Sequence, residues 1–232
     1  EKGILTGADT VVLELRWGNH RDMIRLLEQI SSREGLGDIL AEGVMRAAQH
    51  IGKGSEQFAV HVRGQEAPMH DPRFVPGLAL TYKMEATPAR HTQGGELIGP
   101  VGVAMPGADL PKYQYGGKGE MHKRQMALAH MLNATGGCLF AYISYPAQYI
   151  PEFLTAITGW DYTLDDCFSV GERIANLRHA FNLREGINPV AIPLHGRLTG
   201  NPPLKEGNVR GVTVDADLIV REYCQAMAWD PI

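Results

Sequence analysis

Apolar side chains recur at helical spacing near the start of the chain. Met23, Leu26, Leu27 and Ile30 stand at positions i, i+3, i+4 and i+7. This spacing places them on one face of an amphipathic helix. Asp38 has the side chain of a good N-cap for a second helix, and Gly52 is placed to end that helix with a positive φ. We therefore predict a pair of helices joined by a short link.

The second half of the chain predicts four more helices, several of them with marked ends. Thr163 and Asp166 form a capping-box pattern that uses the shorter acid, Asp215 is an N-cap candidate, and Gly159 ends the helix before Thr163. The predicted helices cover residues 120–132, 144–157, 164–181 and 216–227.

Extended and irregular segments separate these helices. Phe58–Val62 has the β-branched content and length of a strand, whereas residues 77–119 and 186–214 are rich in glycine and proline and have few periodic apolar positions. About six helices with little strand predict an all-α, multihelical architecture. We expect two α-helical subdomains with long Gly/Pro-rich loops, residues 1–110 and 111–232.

Length and charge narrow the class of protein. A chain of 232 residues can bury a large core, and a net charge of −4 with both signs scattered along it argues against nucleic-acid binding and against a polybasic membrane patch. No apolar run approaches the roughly 18 residues of a membrane-spanning helix. Three widely spaced cysteines favour a reducing, cytoplasmic compartment. The first residue is Glu1, and we expect the chain to be part of a longer polypeptide.

Cys138 is the most informative candidate for chemistry, because it follows a glycine pair at the end of a helical run, Asn133-Ala-Thr-Gly136-Gly137-Cys138. Glycines allow a positive φ and a close approach of the backbone, and a cysteine presented on such a turn can ligate a metal or cluster. The alternative is a buried free thiol packed after a helix end. Cys167 and Cys224 fall among apolar neighbours on helices and are expected in the core.

Arg90 and His91 lie side by side in a glycine-containing loop, Ala86-Thr-Pro-Ala-Arg90-His91-Thr-Gln-Gly-Gly. An arginine there can bind an anionic group, and a neutral imidazole can move a proton near pH 7. The other histidines have no metal-ligand spacing, and Gly116-Gly-Lys-Gly119 lacks the Ser or Thr of a phosphate-binding loop.

Six ordered segments resemble the C-terminal half, domains 2 and 3, of the tungsten-containing aldehyde ferredoxin oxidoreductase family, and together they cover nearly all of the chain. They are Arg33-Glu-Gly-Leu-Gly-Asp-Ile-Leu-Ala-Glu-Gly-Val-Met-Arg-Ala-Ala, Ile51-Gly-Lys-Gly-Ser-Glu, Asp71-Pro-Arg, Ala86-Thr-Pro-Ala-Arg-His, Cys138-Leu-Phe and Phe181-Asn-Leu-Arg-Glu-Gly.

The resemblance implies an enzyme that converts an aldehyde and water to a carboxylic acid. Its cofactors would be tungsten or molybdenum held by two pterins, beside a [4Fe–4S] cluster that passes electrons to ferredoxin. Cys138 looks like the fourth cluster ligand. Asn133, Gly136 and Gly137 correspond to a pterin-contacting turn in which the family usually has Asp and Leu where Asn133 and Gly137 stand. His91 lies where the family keeps a histidine near the metal and substrate, and Arg90 is expected to hold an anionic part of the cofactor.

The resemblance also implies that this chain is incomplete, since the other three cluster cysteines lie upstream in the family. One thiolate cannot hold a cluster that needs four, so we expect the isolated chain to lack both cofactors and to be inactive without the missing N-terminal domain. Two alternatives stay open. One is a related tungstopterin enzyme for another substrate, such as a hydroxy acid oxidoreductase or a subunit of an aromatic acyl-CoA reductase; the other is a non-enzymatic helical docking module.

Overall fold

The structure is a computed structural model that describes residues 3–10, 13–94, 96, 102 and 107–230. These residues contain ten α-helices and one two-stranded antiparallel sheet, so the predicted all-α class is confirmed. None of the helices in these ranges has the length and apolar character needed to cross a bilayer. The helices are α1 His20–Ser32, α2 Leu36–Leu40, α3 Val44–Ile51, α4 Gly77–Met84, α5 Lys118–Ala134, α6 Leu139–Tyr142, α7 Tyr149–Thr158, α8 Leu164–Arg184, α9 Gly196–Thr199 and α10 Ala216–Ala226.

The chain forms two compact units, Glu1–Glu66 and Ala67–Ile232. The predicted subdomains, 1–110 and 111–232, place their boundary later than this division. α4 precedes residue 110, but every residue of this helix is buried, and its apolar side chains pack with those of α5 and α10. The assignment of subdomains stays a prediction.

The first unit contains the predicted helix pair in a modified form. Asn19 caps α1 by accepting a hydrogen bond from the backbone N–H of Asp22. Asp38 lies inside α2 and is not an N-cap, and Gly43, with a φ of 85°, separates α2 from α3. We predicted one helix from Asp38 to Gly52, but the structure has two short helices there. The apolar spacing gave no sign of the turn at Gly43.

The predicted strand of the first unit is shorter than its β-branched content suggested. Ser55–Phe58 forms a 3-10 turn, and only His61–Val62 (β1) pairs with Gln65–Glu66 (β2). In this register His61 lies opposite Glu66 and Val62 lies opposite Gln65.

The second unit is built around α5, which contributes to both of its core clusters. One cluster joins α5 to α4 and α10, and its members include Leu80, Met126, Ile219, Val220 and Tyr223. The other joins α5 to α7 and α8 through Leu128, Leu132, Ile150, Cys167 and Phe168. Because α5 is covered on several sides, its apolar residues do not form a single stripe. It extends two residues beyond each end of the predicted helix, from Lys118 to Ala134.

Glycines allow the helices of the second unit to approach α5 closely. A Cβ atom built on Gly171 of α8 would lie 1.9 Å from the carbonyl oxygen of Ala127, and one on Gly119 would lie 2.4 Å from the backbone nitrogen of Tyr223 in α10. Both distances are far below a van der Waals contact, so these two helix crossings require glycine.

Several helix ends match the sequence prediction. Thr163 and Asp166 form the expected capping box at the start of α8, Asp215 caps α10, and Gly159 ends α7 with a φ of 74°. α4 was not predicted, because a helix buried around its circumference has no polar face and therefore no helical periodicity. Cys167 and Cys224 are buried, as expected.

His122 of α5 is buried without a hydrogen-bond partner for either ring nitrogen among the described residues. Its ring packs edge-on against Tyr223, with 5.0 Å between the ring centroids. Burial lowers its pKa to about 4, while Glu85 acts to raise the pKa and His130 acts to lower it. His122 is therefore neutral at pH 7.

We predict that Gly171→Ala strongly destabilises the protein. The added methyl group would overlap the backbone of Ala127, and overpacking of this kind costs roughly 1–3 kcal/mol or more. Thermal or urea unfolding should show a clearly lowered midpoint. Ser169→Ala is the matched control, since Ser169 is exposed on the same helix. Equal midpoints for the two variants would contradict the close helix contact.

We predict that His122 makes the fold acid-sensitive. Its folded-state pKa of about 4 lies below the usual histidine pKa of about 6.5, so between these values the unfolded chain binds a proton that the native chain does not. Stability is retained above pH 6.5 and falls by about 1.4 kcal/mol per pH unit below it. Urea unfolding at several pH values should show a shallower acid slope for His122→Phe than for wild type. An unchanged slope, with exposed His20→Gln as the reference, would contradict the assignment.

Candidate functional site

The turn before Cys138 ends α5 in a Schellman arrangement. The N–H of Gly136 donates to the carbonyl oxygen of Asn133 at 3.2 Å, and the N–H of Gly137 donates to that of Leu132 at 3.1 Å. Gly136 has a φ of 75°, which is the left-handed conformation that this cap requires. Asn133 itself is exposed.

Gly137 is required by packing rather than by its backbone angle. A Cβ atom at this position would lie 2.3 Å from Cδ1 of Leu132, which is buried in the core. Both glycines therefore have a role in ending the helix. Because their N–H groups are bonded to helix carbonyls, the turn presents to any ligand the side chain of Asn133 and the residues that follow.

Cys138 follows this turn directly, and its side chain is exposed. It occupies the N-cap position of the short helix α6. The alternative of a buried thiol does not describe this residue. By contrast Cys167 and Cys224 are buried, and burial raises the pKa of both thiols, that of Cys167 to about 11. Of the three cysteines, only Cys138 offers its sulfur to a group outside this chain.

The described residues contain no group of three or more His, Cys, Asp or Glu side chains that could hold a metal ion. Within these ranges Cys138 is an exposed thiol that can supply one ligand to a metal centre.

The second part of the candidate site is the segment Ala86–Gly94, called here the His91 loop. It exposes Arg90 and half-buries His91. Just before them, Ala89 is buried and adopts a φ of 57°, an uncommon value for a residue with a side chain. The N–H of Ala89 donates to the carbonyl oxygen of Tyr82 in α4, at 3.0 Å. The loop is thus bent and anchored next to its two candidate residues.

His91 packs against a second imidazole, that of His70, with 4.5 Å between the ring centroids. Tyr82 connects the segments of the two histidines, because its hydroxyl donates to the carbonyl oxygen of His70 at 2.7 Å while its own carbonyl accepts from Ala89. Burial lowers the pKa of His91, and His70 and Arg90 lower it further. His91 therefore favours the neutral form, which can accept a proton.

α8 holds the His91 loop from the other side. Arg178 donates to Oγ1 of Thr87 and to Oε1 of Gln93, each at 3.0 Å, and Asn182 donates to the carbonyl oxygen of Ala86 at 3.1 Å. The side chain of Glu85 is buried 3.6 Å from the Arg178 guanidinium and balances its charge.

The end of the loop is fixed against α5. A Cβ atom on Gly94, which has a φ of 111°, would lie 2.6 Å from Cα of Met126. Two residues later, Glu96 pairs with the buried Lys118 and accepts a hydrogen bond from the N–H of Gly77 at 2.7 Å. Eight residues separate Met126 from the end of α5 at Ala134, so the loop contact and the Cys138 turn are about 12 Å apart along that helix.

Sequence reasoning selected Arg90, His91 and Cys138 as candidates, but it did not select the residues that hold them in place. Arg178 lies on the stripe of α8 that also carries Cys167 and Phe168. A charged residue within an apolar stripe is a signal for a buried polar contact, and it could have revealed this one. Tyr82 gave no signal, because α4 itself was not recognised.

Almost the whole chain is similar in sequence to one known protein family. The sequence profile for aldehyde ferredoxin oxidoreductase, domains 2 and 3, matches residues 1–231. The tungsten-containing aldehyde ferredoxin oxidoreductase of Pyrococcus furiosus is 30% identical over 92% of this chain and 35% of its own length. That of Thermococcus kodakarensis is 30% identical over 99% of this chain and 38% of its own length. The chain thus spans little more than a third of these relatives.

Two further similarities involve other substrates. The aliphatic sulfonate oxidoreductase, WOR-like subunit, of Pyrococcus furiosus is 30% identical over 99% of this chain and 35% of its own length. Among solved structures, the active-site complex BamBC of benzoyl coenzyme A reductase with 1,5-dienoyl-CoA matches with a TM-score of 0.69 at 21% identity, over 99% of this chain and 39% of that one. At this identity the structural match establishes a shared fold only.

We predict that only one of the three cysteines of the native chain reacts rapidly with a thiol reagent. Cys138 is exposed, whereas Cys167 and Cys224 are buried with raised thiol pKa values, and the reactive species is the thiolate. Alkylation with iodoacetamide followed by peptide mass spectrometry should label Cys138 first, and all three after denaturation. Cys138→Ala should remove the rapid phase. Equal labelling of the three cysteines in the folded chain would contradict this placement.

Proposed function

Since the chain belongs to the aldehyde ferredoxin oxidoreductase family, we propose that it forms domains 2 and 3 of an enzyme that oxidises an aldehyde with water to a carboxylic acid. The two electrons released would leave by way of a [4Fe–4S] cluster to ferredoxin. The family match over residues 1–231 supports the class of reaction. The exposure of the Cys138 thiol is the single observation that carries the assignment of the site.

The residues present fit one side of the cofactor site implied by the family. Cys138 would be the fourth ligand of the cluster, and its thiolate would lie on the path by which electrons leave. When bound, tungsten or molybdenum held by two pterins supplies the two-electron redox chemistry. Asn133 offers an exposed amide that can both donate and accept hydrogen bonds, and it would contact a pterin beside Gly136 and Gly137.

The roles of the His91 loop follow from its charges and its setting. Arg90 is an exposed cation that would hold an anionic group of the cofactor or the carboxylate product. His91 is half-buried with a lowered pKa, so at neutral pH its imidazole is free to accept one of the two protons released when aldehyde and water are oxidised to the carboxylic acid.

The isolated chain would be inactive. A cubane cluster needs four thiolates, and the described residues offer one accessible cysteine. The partner that completes the site would be the missing N-terminal domain of the same polypeptide, with ferredoxin as the electron acceptor and the cytoplasm as the compartment.

A related enzyme with another substrate is the second candidate. The sulfonate oxidoreductase subunit of Pyrococcus furiosus shares 30% identity with this chain, the same percentage as the aldehyde enzyme of that organism. Arg90 would then serve to bind an anionic substrate rather than an anionic product or cofactor group.

The proposed function predicts that Cys138→Ala in the full-length protein removes the cluster. Wild type should contain about four iron atoms per polypeptide, together with tungsten or molybdenum, and should reduce a dye when aldehyde is added. The variant should lose most of its iron and its dye reduction. Iron content is measured by plasma emission spectrometry and dye reduction by absorbance.

Cys167→Ala is the matched control, since this buried cysteine should leave the iron content unchanged. Full iron content and activity in the Cys138→Ala protein would overturn the role of Cys138. Activity with sulfonates or acyl-CoA esters, and none with any aldehyde in a panel, would support the second candidate instead.

A further inference from the structure

We propose that Arg178 is a positioning residue for the candidate site, and that its guanidinium holds the His91 loop in the conformation that presents Arg90 and His91. The proposal rests on the proposed function for the meaning of these two residues, but its structural part stands on contacts within the second unit. Arg178 donates its hydrogen bonds to Thr87 and Gln93, so we expect its effect on any reaction to pass through the loop that carries Arg90 and His91.

The guanidinium of Arg178 spans the loop. Nη2 donates to Thr87 and Nη1 donates to Gln93, each at 3.0 Å, and these two residues lie on either side of Arg90 and His91. One planar group thereby fixes the separation of the two arms of the loop. Asn182, one helical turn further along α8, adds a hydrogen bond to the carbonyl oxygen of Ala86 at 3.1 Å.

The charge of Arg178 is compensated by Glu85, the residue that directly precedes the His91 loop. The Glu85 carboxylate lies 3.6 Å from Nη1, and its side chain is 4% exposed. His130 of α5 lies 3.5 Å from the same carboxylate and 3.3 Å from the guanidinium. The ion pair satisfies the charge of Arg178, while the two hydrogen bonds to the loop depend on the forked shape of the side chain.

A lysine at this position can distinguish a residue that positions the loop from one that only stabilises the fold. A lysine at residue 178 keeps a positive charge for Glu85 but presents a single ammonium group, which cannot bond to Thr87 and Gln93 in the same fixed geometry. If Arg178 only stabilises the fold, Arg178→Lys should restore both stability and loop order. If it positions the loop, the lysine should restore stability but leave the loop more mobile.

Hydrogen–deuterium exchange of the full-length protein tests the structural part. In Arg178→Met, amides of the peptide covering residues 86–94 should exchange about tenfold faster, because hydrogen bonds that hold the loop are lost. Arg178→Lys should also exchange faster in this peptide, although its melting temperature stays close to that of wild type. Arg173→Met is the control, since Arg173 is exposed on the same helix. Wild-type exchange of this peptide in a folded Arg178→Met protein would overturn the proposal.

Thr87→Val provides a second test that does not alter α8. This nearly isosteric change removes the acceptor of one Arg178 hydrogen bond and should raise exchange of the same peptide by a few fold. Combined with Arg178→Met, it should add little, because the two residues act through one interaction. If Arg178→Met does not fold, Thr87→Val decides alone, and unchanged exchange of the 86–94 peptide would overturn the proposal.

Steady-state kinetics of the holoenzyme test the link to the site. Arg178→Lys should lower kcat for aldehyde oxidation about tenfold at unchanged tungsten and iron content, whereas a purely structural role would lower the amount of loaded enzyme. If Arg178→Lys has the kcat of wild type although its 86–94 peptide exchanges faster, the positioning role would be overturned. If wild type oxidises no aldehyde, the proposed function fails, yet the exchange results still decide whether Arg178 holds the loop.

Discussion

The second unit depends on one constraint, which is that α5 must be approached closely from several sides at once. α8 crosses it where Gly171 meets the backbone of Ala127, and α10 crosses it where Gly119 meets the backbone of Tyr223. A side chain at either glycine would separate the helices and open the two core clusters that share α5. The rest of the unit is arranged within the limits that these two contacts set.

Both halves of the candidate site take their positions from α5. The Cys138 turn is set by Leu132, a core residue whose carbonyl oxygen accepts the N–H of Gly137 and whose side chain leaves no room for a Cβ atom there. The His91 loop is set by Gly94 against Met126 and by Glu96 against Lys118. The turn that carries Cys138 and the loop that carries His91 are thus both anchored to one helix.

Several local signals in the sequence were read correctly, although Asp38 was wrongly taken as an N-cap, and the tertiary contacts were not predicted. Thr163, Asp215 and Gly159 mark helix ends through contacts made within a few residues, so pattern alone predicted them. α4 escaped prediction because its surroundings, and not its own residues, make it a fully buried helix. The same holds for the site. Arg90, His91 and Cys138 stand in recognisable local settings, whereas Arg178, Glu85 and Tyr82 acquire their roles only when distant segments meet.

The buried polar and charged side chains beside the His91 loop are better explained by conformational specificity than by stability. Glu85, His130 and Lys118 are each less than 10% exposed, and removing such groups from water costs energy that an ion pair recovers only in part. Apolar residues of similar size could fill the same space at no loss of stability. They could not, however, pair with Arg178, whose guanidinium bonds to Thr87 and Gln93, or hold Glu96 against α5. A segment without regular secondary structure needs directional bonds to keep one shape, and in this unit those bonds converge on the loop that carries His91.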